Sequence, residues 1–312
     1  METSSARGLM GATPAVAAID DAAASVGSAP SNPAPAAHAA HTPTDHAASA
    51  RADLAAVNNA FYDSLGDRWY DAYDDPVALL RAEGALKNPW VADRIRTSLA
   101  GRPGRILDIG CGAGFLANAL AEEGHRVSGI DMSRGSLKVA RARAAARPAS
   151  SSTAETSAAS GTPAAYRVAD AYRLPFRDQT FDAVIALDFL EHVTAPGRVI
   201  AEASRVLRPG GLFFFHTFNR NRLAWLVVIK GLEWFVRNTP DHMHVLPLFI
   251  KPKELETYCR EVGMRQKEIT GIRPALGPAF WKMLATRRVP RDFKFVLTPS
   301  LNISYLGSAQ KT

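Results

Sequence analysis

Asp188-Phe-Leu-Glu191-His192 gathers two carboxylates and one imidazole within five residues, directly after the strand-like apolar run Phe181 to Leu187. Two chemistries suit this set. An imidazole titrates near working pH, so His192, with Glu191 beside it, is a candidate general base for a hydroxyl acceptor. Alternatively, Asp188, Glu191 and His192 hold one divalent cation such as Mg2+, which acidifies and orients an acceptor hydroxyl of phenol or catechol type. A plainer reading leaves Glu191 and His192 as solvated residues capping the next loop.

Further upstream, Asp108-Ile-Gly110-Cys-Gly112-Ala-Gly114 follows a strand-like run beginning at Arg105, and a second such run, Arg126 to Ile130, ends in Asp131. Glycines at this spacing let the backbone bend sharply and approach a ligand, and an acid closing the next strand can hold both hydroxyls of a ribose. Dinucleotide sites use GxGxxG, which brings a helix N-terminus to a pyrophosphate. Here the spacing is GxGxG with Asp108 before it, which points to a nucleoside without phosphate, S-adenosylmethionine. The candidate cofactor residues are Asp108, Gly110, Gly112, Gly114, Asp131, Met132, Asp170, Ala171 and Leu187. In this reading Asp131 takes the ribose and Asp170, at the end of the third strand, takes the adenine amino group.

Strands alternating with helices must carry these residues. The pattern predicts an α/β fold, a Rossmann-like, mostly parallel sheet of seven strands with helices on both faces and the last strand antiparallel. Ligands in such sheets lie beyond the carboxyl ends of the strands, where the strand order reverses. Residues 53–100 read as an N-terminal helical cap broken at Asn88-Pro89-Trp90. Residues 1–52, rich in Ala, Ser and Pro, cannot bury enough apolar surface to fold and read as disordered. Residues 144–165 read as a flexible insert. The catalytic domain is then residues 53–312.

The formal charge is +7, and four acids against Arg7 in the first fifty residues leave +10 on the rest. Such an excess favours an anionic partner, either nucleic acid or an anionic membrane surface. Within 219–250, the run Arg220 to Arg237 is apolar on most of a helical surface but too short to span a bilayer of ~20 residues. Trp225, Ile229, Trp234 and Phe235 with flanking arginines suit a helix lying at a lipid interface, or a lid over the site. This favours peripheral lipid contact, with no nucleic acid expected. Two cysteines without metal-type spacing fit a reducing cytoplasmic setting.

Taken together, Leu107 to Gly114, Gly129-Ile-Asp131, Phe181-Asp-Ala-Val184 and Leu207-Arg-Pro-Gly-Gly211 resemble the class I methyltransferases. Leu190-Glu-His-Val193, Phe218-Asn-Arg-Asn221, the stretch His244 to Pro252, Ile269-Thr-Gly-Ile272 and Asn302 to Leu306 resemble, more narrowly, the UbiG-type O-methyltransferases of ubiquinone biosynthesis. The resemblance implies S-adenosylmethionine-dependent methylation of a hydroxyl on a polyprenylated phenol or catechol. It also implies membrane contact near Trp225, a place in a quinone-biosynthesis complex, and a divalent cation on Asp188, Glu191 and His192. The alternatives are another small-molecule or lipid acceptor, RNA, or a cofactor-binding protein without turnover. Where the family tends to place an arginine facing the cofactor's carboxylate, this chain has Asn88-Pro-Trp-Val91, so Lys87 or Arg94 would have to substitute, or nothing does. The stretch Trp281 to Pro299, with Arg287, Arg288 and Arg291, also departs from the family's short members.

Overall fold

The computed structural model describes residues 60–146 and 162–312. The expected disordered N-terminus and most of the 144–165 insert therefore lie outside the described residues. Chain order runs α1 (Ala60–Ser64), α2 (Arg68–Asp71), α3 (Val77–Ser98), β1 (Arg105–Ile109), α4 (Phe115–Glu122), β2 (Arg126–Asp131), α5 (Arg134–Ala145), β3 (Ala165–Val168) and β4 (Phe181–Leu187). After a 3-10 turn, Leu190–His192, come α6 (Pro196–Val206) and β5 (Leu207–Phe218). A helical segment then comprises α7 (Arg222–Ala224), a π-helical stretch (Trp225–Lys230) and α8 (Gly231–Phe235), and α9 (Pro252–Glu261), β6 (Met264–Pro274), α10 (Pro278–Thr286), β7 (Phe295–Thr298) and β8 (Ser304–Lys311) complete it.

The sheet order is β3-β2-β1-β4-β5-β8-β6-β7. The first five strands in that order pair in parallel, and β8 runs antiparallel between β5 and β6. Among the described residues the sheet has eight strands where the sequence predicted seven. The addition, β7, lies in the stretch that departs from the family pattern. It has four residues, none fully buried, and pairs only with β6 at the sheet edge, so no buried apolar run announces it.

Strand alternation explains why helices cover both faces. Ile106, Ala183, Ile185 and Phe214 pack with Val91, Ile95, Leu116 and Leu120 of α3 and α4. Their neighbours Leu107, Ile109, Val184, Phe213 and Phe215 pack on the opposite face with Val199, Ile200 and Leu255 of α6 and α9. Pro89 does not break the cap. Helix α3 runs through it from Val77 to Ser98, because burial of Val91, Ala92 and Ile95 outweighs the hydrogen bond that the proline removes.

The cap is tied to the start of α5, just after β2. Asp63 accepts from the hydroxyl of Ser133 at 2.7 Å and from the N–H of Gly135 at 3.1 Å, while the indole of Trp69 donates to Ser136 Oγ at 3.2 Å. Ser133 caps α5, accepting from the N–H of Ser136 at 3.0 Å.

Candidate active site

Parallel β1, β2 and β4 end at one edge of the sheet, and a single cavity of about 1190 Å³ runs along it. Asp108, Gly110, Gly112, Asp131, Met132, Asp170, Ala171 and Leu187 all line this cavity. Gly114 does not. Its left-handed backbone, φ 78°, starts α4, and a Cβ there would fall 2.4 Å from the hydroxyl of Tyr166, so the residue must be small for packing rather than for ligand approach.

Asp131 is held by the turn that it helps to shape. Its Oδ2 accepts from the N–H of Gly112 at 2.9 Å and its Oδ1 from the N–H of Ser133 at 2.8 Å. Burial raises its carboxyl above the ordinary range. Asp170 accepts from the N–H of Tyr172 at 2.8 Å. Asp108 is 6% exposed, and burial, with the charge of Asp131 added, pushes it up to about 8. A carboxyl of this kind at the cavity wall suits a ligand that brings its own positive charge.

The acid, acid, histidine set is not gathered in the way the sequence suggested. Asp188, in a left-handed conformation with φ 53°, directs its carboxylate to Lys87 and His216. Lys87 Nζ lies 2.6 Å from Asp188 Oδ1 and 3.2 Å from Glu83 Oε2, and His216 Nε2 lies 3.3 Å from Glu83 Oε1. Glu83, Lys87, Asp188 and His216 thus form a quartet linking α3, the end of β4 and β5, buried except for Asp188, whose side chain is 19% exposed. Two cationic side chains already occupy the space beside Asp188 that a metal ion would need. Burial and the Lys87 charge push His216 down, but Glu83 and Asp188 outweigh them and raise it to about 9. Burial opposes the charged form of Asp188 as well, yet Lys87 and His216 hold it well below the usual carboxylate range.

Glu191 and His192 meet a different partner, His244, which the sequence reading did not single out. Ligand atoms of Glu191, His192 and His244 lie within 4.8 Å of one another, and the two imidazole centroids are 5.3 Å apart. Glu191 Oε2 accepts from the hydroxyl of Thr217 at 2.9 Å, whereas Glu191 Oε1, His192 Nδ1 and His244 Nδ1 are sealed from solvent without a hydrogen-bond partner. Burial pushes His192 down to about 4 and His244 to about 3, so both imidazoles are neutral at pH 7. Burial, with the charge of Asp188 added, lifts Glu191 to about 7. Two neutral imidazoles and a carboxyl with ligand atoms this close are a donor set that could hold a divalent cation; Glu83, Asp188 and His216 also lie close enough, but Lys87 is paired with both of those acids. The signal for His244 was its place in the His244 to Pro252 motif.

Neither basic residue expected to face the cofactor's carboxylate is free to do so. Arg94 lies away from the cavity, its guanidinium paired with Glu268 at 2.6 and 3.0 Å and stacked over Trp90. Lys87 reaches the cavity wall but is engaged by Glu83 and Asp188.

The apolar segment after β5 divides between surface and interior. Leu223, Trp225, Leu226 and Trp234 are exposed, but Ile229 is 9% exposed and packs with Ala224, Val228 and Phe249. Phe235 is half-buried and lines the cavity. Ile229 therefore belongs to the interior rather than to a lipid-facing surface, because the helical segment turns that side toward Phe249. No helix among the described residues is long and apolar enough to cross a membrane.

With this geometry in place, the comparisons with known proteins agree with one another. A family model described as a methyltransferase domain matches residues 107–215. The ubiquinone biosynthesis O-methyltransferase of Pseudomonas putida F1 is 37% identical over 188 residues, 60% of this chain and 74% of the relative. The protein of the same description from Nitrosococcus oceani is 35% identical over 227 residues, 72% of this chain and 84% of the relative. Among solved structures, magnesium protoporphyrin IX methyltransferase from Synechocystis PCC 6803 with bound SAH superposes with a TM-score of 0.54 at 17% identity, over 82% of this chain and 96% of that one. The PH0226 protein from Pyrococcus horikoshii gives 0.51 at 20% identity, over 82% of this chain and 100% of that one. The glycine turn, the acid closing β2 and these likenesses converge: the chain is an S-adenosylmethionine-dependent class I O-methyltransferase and belongs to the family of the ubiquinone biosynthesis O-methyltransferases.

Proposed function

We propose that this O-methyltransferase acts on a hydroxyl of a polyprenylated phenol or catechol in quinone biosynthesis, reached from a membrane surface. The observation that carries the reading is the single cavity, which joins the glycine turn and His192 to a wall of Leu79, Leu232, Val236 and Phe280. At about 1190 Å³ it exceeds the ~300–1,000 Å³ of a site for one drug-sized ligand, leaving room for an acceptor beside the cofactor. Exposed Leu223, Trp225, Leu226 and Trp234 next to Arg222 and Arg237 support peripheral lipid contact.

S-adenosylmethionine, when bound, supplies a methyl group on an already activated sulfonium. The chain's part is alignment and proton removal. Asp131 would hold the ribose and Asp170 the adenine, with Leu187 flanking them. His192 lines the cavity, so its imidazole is the group that would take the acceptor's proton. Glu191, His192 and His244 are the residues that would hold a divalent cation, whose charge would lower the proton affinity of a nearby hydroxyl. The test is S-adenosylhomocysteine formation with a demethylated quinol. His192→Ala should lower turnover by ~10²–10⁴-fold. Turnover only with RNA or a water-soluble phenol, or none with any acceptor, would sink the reading.

A further inference from the structure

The cavity has an end that the chemistry above does not use. Met283 is buried, Phe280 and Leu284 are half-buried, and these residues of α10 pack in one cluster with Leu79 of α3, Leu232 and Val236 of the α8 segment, and Phe293 and Phe295 at β7. Every residue just named also lines the cavity, so this cluster is the wall of an open apolar chamber rather than a closed core. The eight side chains named are all hydrocarbon or thioether. Helix α10 is fixed against the α8 segment by Arg237, whose N–H donates to the carbonyl of Arg287 at 3.1 Å. The outward faces of the same elements carry Trp234, Trp281 and Leu276, at 53, 62 and 66% exposure, with Lys282, Arg287 and Arg288 exposed beside them.

We propose that α10 and β7 build a subsite for the hydrocarbon tail of the acceptor, and that Met283 and Phe280 set which tails are accepted. Those eight side chains offer a polar occupant no hydrogen bond, so its buried polar atoms would go unpaired against them, while a hydrocarbon chain meets no such cost. The inference rests on the proposed acceptor class and adds where its tail lodges. It assigns a role to the stretch 281–299, in which the chain departs from the family pattern.

Two acceptors with the same catechol head, one bearing a geranyl tail and one bearing none, test it in wild type, Met283→Trp and Phe280→Ala. Filling the chamber with Met283→Trp should lower kcat/KM for the tailed acceptor at least about tenfold more than for the tailless one, and Phe280→Ala should shift preference toward a longer tail. Calorimetry with farnesol, which needs no turnover, is the second readout. Binding to wild type that weakens in Met283→Trp supports the subsite. Equal loss on both acceptors, or farnesol affinity that is absent or unaltered in a variant melting at the wild-type temperature, overturns it. If neither catechol is methylated while farnesol binds and Met283→Trp weakens it, the acceptor assignment falls and the tail subsite stands.

Discussion

Lys87 and Asp188, a hundred and one residues apart in the chain, meet with Nζ 2.6 Å from Oδ1, and the lysine side chain is 1% exposed. The contact fixes the cap helix α3 to the end of β4, on the wall of the cavity. Lys87→Met would leave Glu83 and Asp188 facing each other with only His216 between them. Breaking a buried pair on one side costs about 3–5 kcal/mol. Urea denaturation should show a loss of that order, and a loss below ~1 kcal/mol would mean that the quartet is not a structural tie.

The same quartet gives a pH dependence with a definite sign. The folded value for His216, about 9, lies above the unfolded value of ~6.5. Its contribution to stability is therefore fully present below ~6.5 and is lost as pH rises through about 9. Melting temperature should fall across that window, and His216→Gln should flatten the fall.

Asp131→Ala removes a carboxylate that pins Gly112 and Ser133 and faces the cavity. Loss of charge-assisted hydrogen bonds of ~1.5–3 kcal/mol predicts S-adenosylmethionine binding at least about tenfold weaker by calorimetry. Unchanged affinity would remove the ribose role.

Divalent cation binding separates the two candidate ligand sets. Cobalt(II) titrated into the protein and followed by its visible absorption should lose its site in His244→Ala, by roughly 10–100-fold in affinity. Asp188→Asn should leave the spectrum of the bound ion unchanged. The reverse pattern would restore Asp188 as a ligand.

Membrane contact and burial are separable within one short segment. Trp225→Ala with Trp234→Ala should reduce co-sedimentation with anionic liposomes while changing stability by less than about 0.5 kcal/mol each, as surface substitutions do. Ile229→Ala should do the opposite, costing about 2–5 kcal/mol of stability because the side chain is packed against Phe249. Liposome binding that depends on Ile229 alone would contradict that division.

The parts legible in the sequence are those governed by local pattern. Apolar runs of strand length, separated by helical periods, announced the parallel core and the turn Gly110 to Gly114, with an acid closing β2 beside it. Asp108, Asp131, Asp170 and Leu187 could be placed on one cavity because strands of a parallel sheet end on one side. Contacts across long stretches of chain were decided only by the tertiary structure. Nothing near Asp188 in the sequence says that Lys87 and His216 will take its carboxylate, and nothing near His192 says that His244 will come to lie beside it. The same holds for Ile229, whose helical neighbours Trp225 and Trp234 are exposed while it is buried. Periodicity fixes which residues share a face of an element, but which face meets the interior, and which charged group neutralises another, depends on the packing of the whole chain.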